Sequence, residues 1–155
     1  MTAGGSSLPE VQRLLAVLGA GRRCAETGTA FGEGAAAIAS TAVSLVTVEQ
    51  NPERAAVAAE RLRGLENVEL AVGDWRDVLP PHAPFDFLFF DAGRLDESPE
   101  AIDLLAPGGM LLKDDLSPDW PGPDPVRELL FGHPDLVAVE ILTTPETAAI
   151  LAVRR

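Results

Sequence analysis

Between Arg23 and Lys113, short runs of β-branched, aliphatic and aromatic residues alternate with segments of helical period. Few folds accept that alternation, because each run must lie in a sheet whose faces the intervening helices cover. The run Phe85–Asp91 (F-D-F-L-F-F-D) is nearly continuous in apolar residues, as expected of a strand buried on both sides. Further strands are predicted over Arg23–Thr27, Ser44–Glu49, Asn67–Val72 and Met110–Lys113, the last entered through a turn at Pro107–Gly109. Helices are predicted over Leu8–Gly19, around Gly34–Ser40, and over Pro52–Gly64, Glu97–Leu105 and Val126–Phe131, several marked by proline near the start or glycine at the end.

The last two strands, Leu136–Thr143 and Thr147–Val153, are joined only by Thr144–Pro145–Glu146. So short a connection allows antiparallel pairing alone. The expected architecture is α/β: a doubly wound, Rossmann-like sheet of seven strands, mostly parallel, with an antiparallel C-terminal hairpin and helices on both faces. A single domain is expected over residues 1–155, without internal repeats.

Composition narrows the function. The chain is 46% hydrophobic and 23% charged, the balance of a globular protein. No apolar run approaches the roughly 18–20 residues of a membrane span, and Met1–Glu10 shows no basic-then-apolar leader. The lone cysteine, Cys24, excludes an internal disulfide and fits a reducing, cytoplasmic setting as a buried structural thiol. Net charge is −12, and Lys113 is the one lysine among twelve basic residues. Nucleic-acid affinity rests on cations that neutralise phosphates, so no nucleic-acid partner is expected. A small-molecule acceptor or a protein substrate fits better.

Two features point to a nucleoside ligand. Glu26–Gly34 (E-T-G-T-A-F-G-E-G) follows the first strand and opens a helix, and its glycines let backbone approach a ligand closely. Glu49 ends the second strand about twenty residues later, where a carboxylate can accept from both ribose hydroxyls. The plainer alternatives for Glu49 are a solvated strand-end acid or a cap for the helix at Pro52. The T-G-x-x-x-G-x-G spacing also occurs in short-chain dehydrogenases, whose carbonyl chemistry needs a tyrosine. This chain has none.

Together with V-T-V-E-Q-N-P-E-R, V-G-D-W-R-D-V-L-P, F-D-F-L-F-F-D-A and L-L-A-P-G-G-M-L-L-K-D-D-L, that glycine segment resembles, in order, the motifs of class I methyltransferases. The nearest resemblance is to the catechol/caffeoyl-CoA-type O-methyltransferases, from about Leu8 to the C-terminus. The resemblance implies that S-adenosylmethionine is the methyl donor. Glu26, Gly28 and Gly32, with Thr29, would line its methionine end. Glu49 and Gln50 would meet the ribose, Asp74 and Trp75 the adenine, and Asp91 would sit by the transferable methyl.

In metal-dependent members an acid after strand four and an Asp-Asn pair after strand five hold a divalent cation. Here those places are Asp91, Asp114 and Asp115. Neighbouring strands would bring the three acids to one end of the sheet, and all-oxygen ligation suits Mg²⁺ or another hard cation. Capping of a turn by Asp114 and Asp115 is the plainer reading. Arg94 stands where the family often has lysine; it cannot be a base, and would orient an anionic substrate or stabilise an oxyanion, or simply face solvent. His82 and His133 receive no role, and Trp120 either covers the acceptor or packs on the sheet edge.

Two departures carry expectations of their own. Gly34 replaces a hydroxyl residue that meets the methionine carboxylate. Only about twenty residues precede the first strand, so the acceptor site is expected to be open, or completed by a second subunit in a homodimer. A non-catalytic cofactor-binding module acting through a partner protein is the alternative reading.

Overall fold

The computed structural model describes residues 7–155. Seven strands form one sheet: β1 (Arg23–Thr27), β2 (Ser44–Glu49), β3 (Val68–Val72), β4 (Phe85–Phe90), β5 (Leu105–Leu116), β6 (Leu136–Thr144) and β7 (Thr147–Arg154). Their spatial order is β3-β2-β1-β4-β5-β7-β6. Neighbours from β3 to β5 are parallel, and β7 runs antiparallel to both β5 and β6. The expected doubly wound sheet with its reversed last pair is therefore present.

The α-helices among the described residues are α1 (Pro9–Gly19), α2 (Glu33–Ala39), α3 (Pro52–Arg61), α4 (Trp75–Val78) and α5 (Pro125–Gly132). Side chains alternate across a strand, and β4 shows the consequence. Phe87 and Phe89 pack with Leu15 of α1, Ile38 of α2 and Ala58 of α3. Leu88 and Phe90 face the other way, onto Trp75 of α4, Leu95, Ile102 and Leu130 of α5. These four β4 side chains are fully buried. Truncating one such phenylalanine to alanine typically costs about 3–5 kcal/mol, so β4 anchors both faces.

Three local results differ from the sequence expectation. Glu97–Leu105 is not one helix but two 3₁₀ segments, Leu95–Glu97 and Pro99–Leu104. Ser98 breaks the run at φ −139°, ψ 52°, and Pro99 offers no N–H to carry an α-helical ladder through it. The turn at Pro107–Gly109 is a bulge within a longer strand, because Phe85 pairs with Leu105 and Phe87 already with Met110. Helix α4 was not foreseen; Asp74 starts it by accepting from the Arg76 N–H at 2.9 Å.

Candidate functional site

Strands β1 and β4 are adjacent although not consecutive, so the chain leaves them in opposite directions and a crevice opens past their carboxyl ends. A recess open to solvent occupies that place. It is lined by Gly28 after β1, by Val48, Glu49 and Gln50 at the end of β2, by Gly73 and Trp75 after β3, and by Ala92 and Gly93 after β4. Gly28 has φ +79°, and a Cβ there would stand 2.3 Å from the Ala92 Cβ. Glycine thus lets the first turn close against the end of β4.

Glu49 is 7% exposed. Its Oε2 accepts from the Ala30 N–H at 2.8 Å and its Oε1 from the Asn51 N–H at 2.9 Å. Helix α3 is capped by Asn51, whose Oδ1 accepts from Glu53 and Arg54 N–H groups. Glu49 is therefore not the helix cap. A carboxylate offers about four lone-pair sites, so each oxygen keeps capacity toward the recess.

Beneath the glycine turn Glu26 is 1% exposed. Thr47 Oγ1 donates to its Oε2 at 2.5 Å, and Thr47 in turn shares a hydrogen bond with Thr29 at 2.6 Å. Burial pushes the Glu26 carboxyl up to about 8, against the Thr47 bond, with Asp91, Asp114 and Glu49 adding repulsion.

Past the ends of β4 and β5, Asp91, Asp114 and Asp115 bring carboxylate oxygens within 4.8 Å of one another. Consecutive strand residues normally face opposite ways. Asp114 and Asp115 converge because Asp115 adopts φ +58° and the β5–β7 register shifts between Lys113 and Leu116. Aspartate tolerates that left-handed conformation better than most residues. Asp114 is 2% exposed, and its Oδ1 is buried without a hydrogen-bond partner. Burial, then repulsion from Asp91 and Asp115, pushes Asp114 up to about 7; burial chiefly, opposed by Lys113, lifts Asp91 to about 6. An orphaned acceptor facing two further carboxylates fits a hard cation.

Other predicted residues lie differently. Gly32 packs against Ala58 and Arg61 of α3. Thr29 is buried on Thr47. Arg94 is exposed and pairs with Asp96 at 2.8 Å and Glu97 at 3.0 Å. Trp120 is 56% exposed and, with Asp115 and Arg127, lines an open cleft beyond β5. Cys24 is buried in β1, where desolvation raises its thiol to about 12 and keeps it inert.

Sequence reasoning missed Arg76 and Ser98, both on the recess wall. The Arg76 guanidinium lies 4.8 Å over the Trp75 ring, bonds to Ser98 Oγ and reaches Glu100 at 3.2 Å. It straps the β3 side of the recess to the 3₁₀ segment after β4. No spacing in the sequence announces that pairing, because the partners are 22 residues apart.

Comparison with known proteins matches this geometry to a family. Residues 25–116 match the family model described as "Methyltransferase domain". The protein-L-isoaspartate O-methyltransferase of Methanoculleus marisnigri is 37% identical over 92 residues, covering 58% of this chain and 42% of that protein. That of Brucella anthropi is 35% identical over 97 residues, 61% of this chain and 45% of the relative. The chain thus spans less than half the length of these curated relatives. Among solved structures, the O-methyltransferase TomG of Streptomyces achromogenes, involved in tomaymycin synthesis and determined in complex with SAM, superimposes with TM-score 0.74. Identity is 28%, covering 99% of this chain and 83% of that one. An O-methyltransferase from Bacillus cereus in complex with SAH shares the fold at TM-score 0.76, with 22% identity over 98% of this chain and 84% of its own. A match running from the first strand of the sheet through the fifth places the chain in the class I, S-adenosylmethionine-dependent methyltransferase-domain family.

Proposed function

We propose that the chain transfers the methyl group of S-adenosylmethionine to an oxygen of a small hydroxylated acceptor, with a divalent cation held by Asp91, Asp114 and Asp115. The observation that carries this reading is Glu49, fixed by two backbone N–H groups at the rim of a recess whose other wall is Trp75. TomG, determined with SAM, and the isoaspartate enzymes are all O-methyltransferases by name, which supports oxygen as the acceptor atom. The net charge of −12 argues against a nucleic-acid acceptor.

In this reading Glu49 orients the ribose through its remaining lone pairs, and Trp75 with Asp74 bounds the base. Glu26 lies under the amino-acid end, opposite its ammonium. Bound donor supplies a methyl carbon on a sulfonium, from which the carbon–sulfur bond breaks as the new oxygen–carbon bond forms. Asp91, Asp114 and Asp115 would hold the cation, which would supply Lewis acidity to a hydroxyl beside it. The hydroxyl's proton would leave to solvent on the open side, where Asp115 is exposed. The chain's remaining contribution is positioning of the two reactants in line.

Calorimetric titration with S-adenosylmethionine and S-adenosylhomocysteine, with and without Mg²⁺, tests the proposal. Micromolar binding is expected, weakened at least tenfold by Glu49→Ala, since hydrogen bonds to a charged group are worth about 1.5–3 kcal/mol. Absence of binding under every condition would sink the cofactor reading and turn attention to partner proteins. Absence of Mg²⁺, Mn²⁺ or Ca²⁺ binding to the S-adenosylhomocysteine complex would remove the cation alone.

A further inference from the structure

Trp75 and Arg76 form a wall with open space on both sides. One side faces the recess, together with Ser98; the other faces a second open cleft, together with Pro80, Ala83 and Leu104. An indole placed between two openings needs something to fix its plane. Phe90 meets it edge-on at 5.6 Å, and the Arg76 guanidinium lies over its ring at 4.8 Å. Arg76 is itself held from both sides of the recess. Its Nε donates to Glu100 Oε1 at 3.2 Å, one terminal nitrogen donates to Ser98 Oγ, and the other lies 3.6 Å from Asp74 Oδ1. Ser98 is 1% exposed and sits at the break between the two 3₁₀ segments, so its hydroxyl needs the partner that Arg76 supplies.

Resting on the cofactor reading above, we infer that Arg76 is a positioning residue for the nucleoside end of the donor. Acting through Trp75 and Ser98, it holds the two sides of the recess at one separation and keeps the indole from turning into the cleft behind it. A guanidinium can stack on a ring and donate in its own plane at the same time, whereas an ammonium is a point charge with no plane to stack. The Arg76 side chain is 47% exposed, so its ion pairs with Asp74 and Glu100 contribute little by themselves. The weight falls on the ring and on the buried hydroxyl.

The inference is tested by measuring S-adenosylhomocysteine affinity and ligand-free melting temperature for wild type, Arg76→Ala, Arg76→Lys and the double variant Arg76→Ala/Ser98→Ala. Arg76→Ala is expected to weaken the ligand about tenfold and to lower the melting temperature, because it leaves a buried hydroxyl without its donor. Arg76→Lys, which keeps the charge and loses the fork, is expected to bind as weakly as Arg76→Ala. Removing both partners of a buried hydrogen bond is nearly neutral for the fold, so the double variant should melt within about 2 °C of wild type and still bind about tenfold more weakly. Affinity that recovers with melting temperature in the double variant would overturn the inference and make Arg76 a part of the fold alone. Full affinity in Arg76→Lys would overturn it as well. Unchanged affinity in Arg76→Ala, with binding still lost in Glu49→Ala, would overturn it and leave the cofactor reading standing. Failure of wild type to bind would overturn both readings together.

Discussion

Glu26 is a carboxylate held out of water with one threonine for company, and its raised pKa of about 8 has a measurable sign. The folded chain binds this proton more tightly than the unfolded chain, where the ordinary value is 4.5. Its contribution to stability is full below pH 4.5 and is lost as pH rises through about 8. Wild-type melting temperature should therefore fall between pH 5 and 8 relative to Glu26→Gln, which carries no titrating proton. Parallel profiles for the two proteins would show that Glu26 is ionised throughout. S-adenosylhomocysteine affinity should move oppositely, strengthening toward pH 8 as the carboxylate ionises to meet the ammonium. At this scale the sequence was legible in where residues lie, as for Glu49 at the end of β2 and the three aspartates at the carboxyl ends of β4 and β5. It was silent on Arg76, whose bond to Ser98 joins side chains 22 positions apart.

Among the elements, β4 and the turn after β1 do most of the positioning. Gly28 sits where those two strand ends meet, so Gly28→Ala should be costly twice over. The new methyl would lie 2.3 Å from the Ala92 Cβ, and alanine must adopt φ +79°. Overpacking costs about 1–3 kcal/mol and the left-handed backbone about 1–2 more. In a chain of this size about 1 kcal/mol lowers the melting temperature by about 2–4 °C, so a drop of several degrees is expected by calorimetry. A drop below 2 °C would mean that the turn relaxes and that Gly28 answers to the ligand alone. The same strands explain what could be read beforehand. The run F-D-F-L-F-F announces a twice-covered strand whatever surrounds it, because burial on both faces leaves no polar alternation. The stretch from Leu95 to Leu104 has helical composition, yet Pro99 and the bend at Ser98 divide it, a conflict of propensity and local geometry that composition does not resolve.

Over the whole molecule, twenty-four acidic groups against twelve basic ones leave the folded chain repelling itself. Several cations are already matched, as Arg127 is to Asp124 and Glu140. Raising NaCl from about 20 mM to 500 mM shortens the screening length from about 20 Å to under 5 Å and should raise the melting temperature by a few degrees. A fall would mean that local ion pairs outweigh the general repulsion. The order of strands has one more consequence. The groups proposed to hold the methyl donor come mainly from β1 to β3, those proposed to meet the acceptor from β4 onward, and the seam between β1 and β4 divides them. The family match stops at residue 116, just short of the loop that carries Trp120 and leads to Arg127. What this chain has in common with its family therefore reaches across the seam, from β1 to the end of β5, and stops where the loop toward α5 begins. In the proposed reading, a change of acceptor calls for new side chains in that loop and leaves the strand ends that meet the donor untouched.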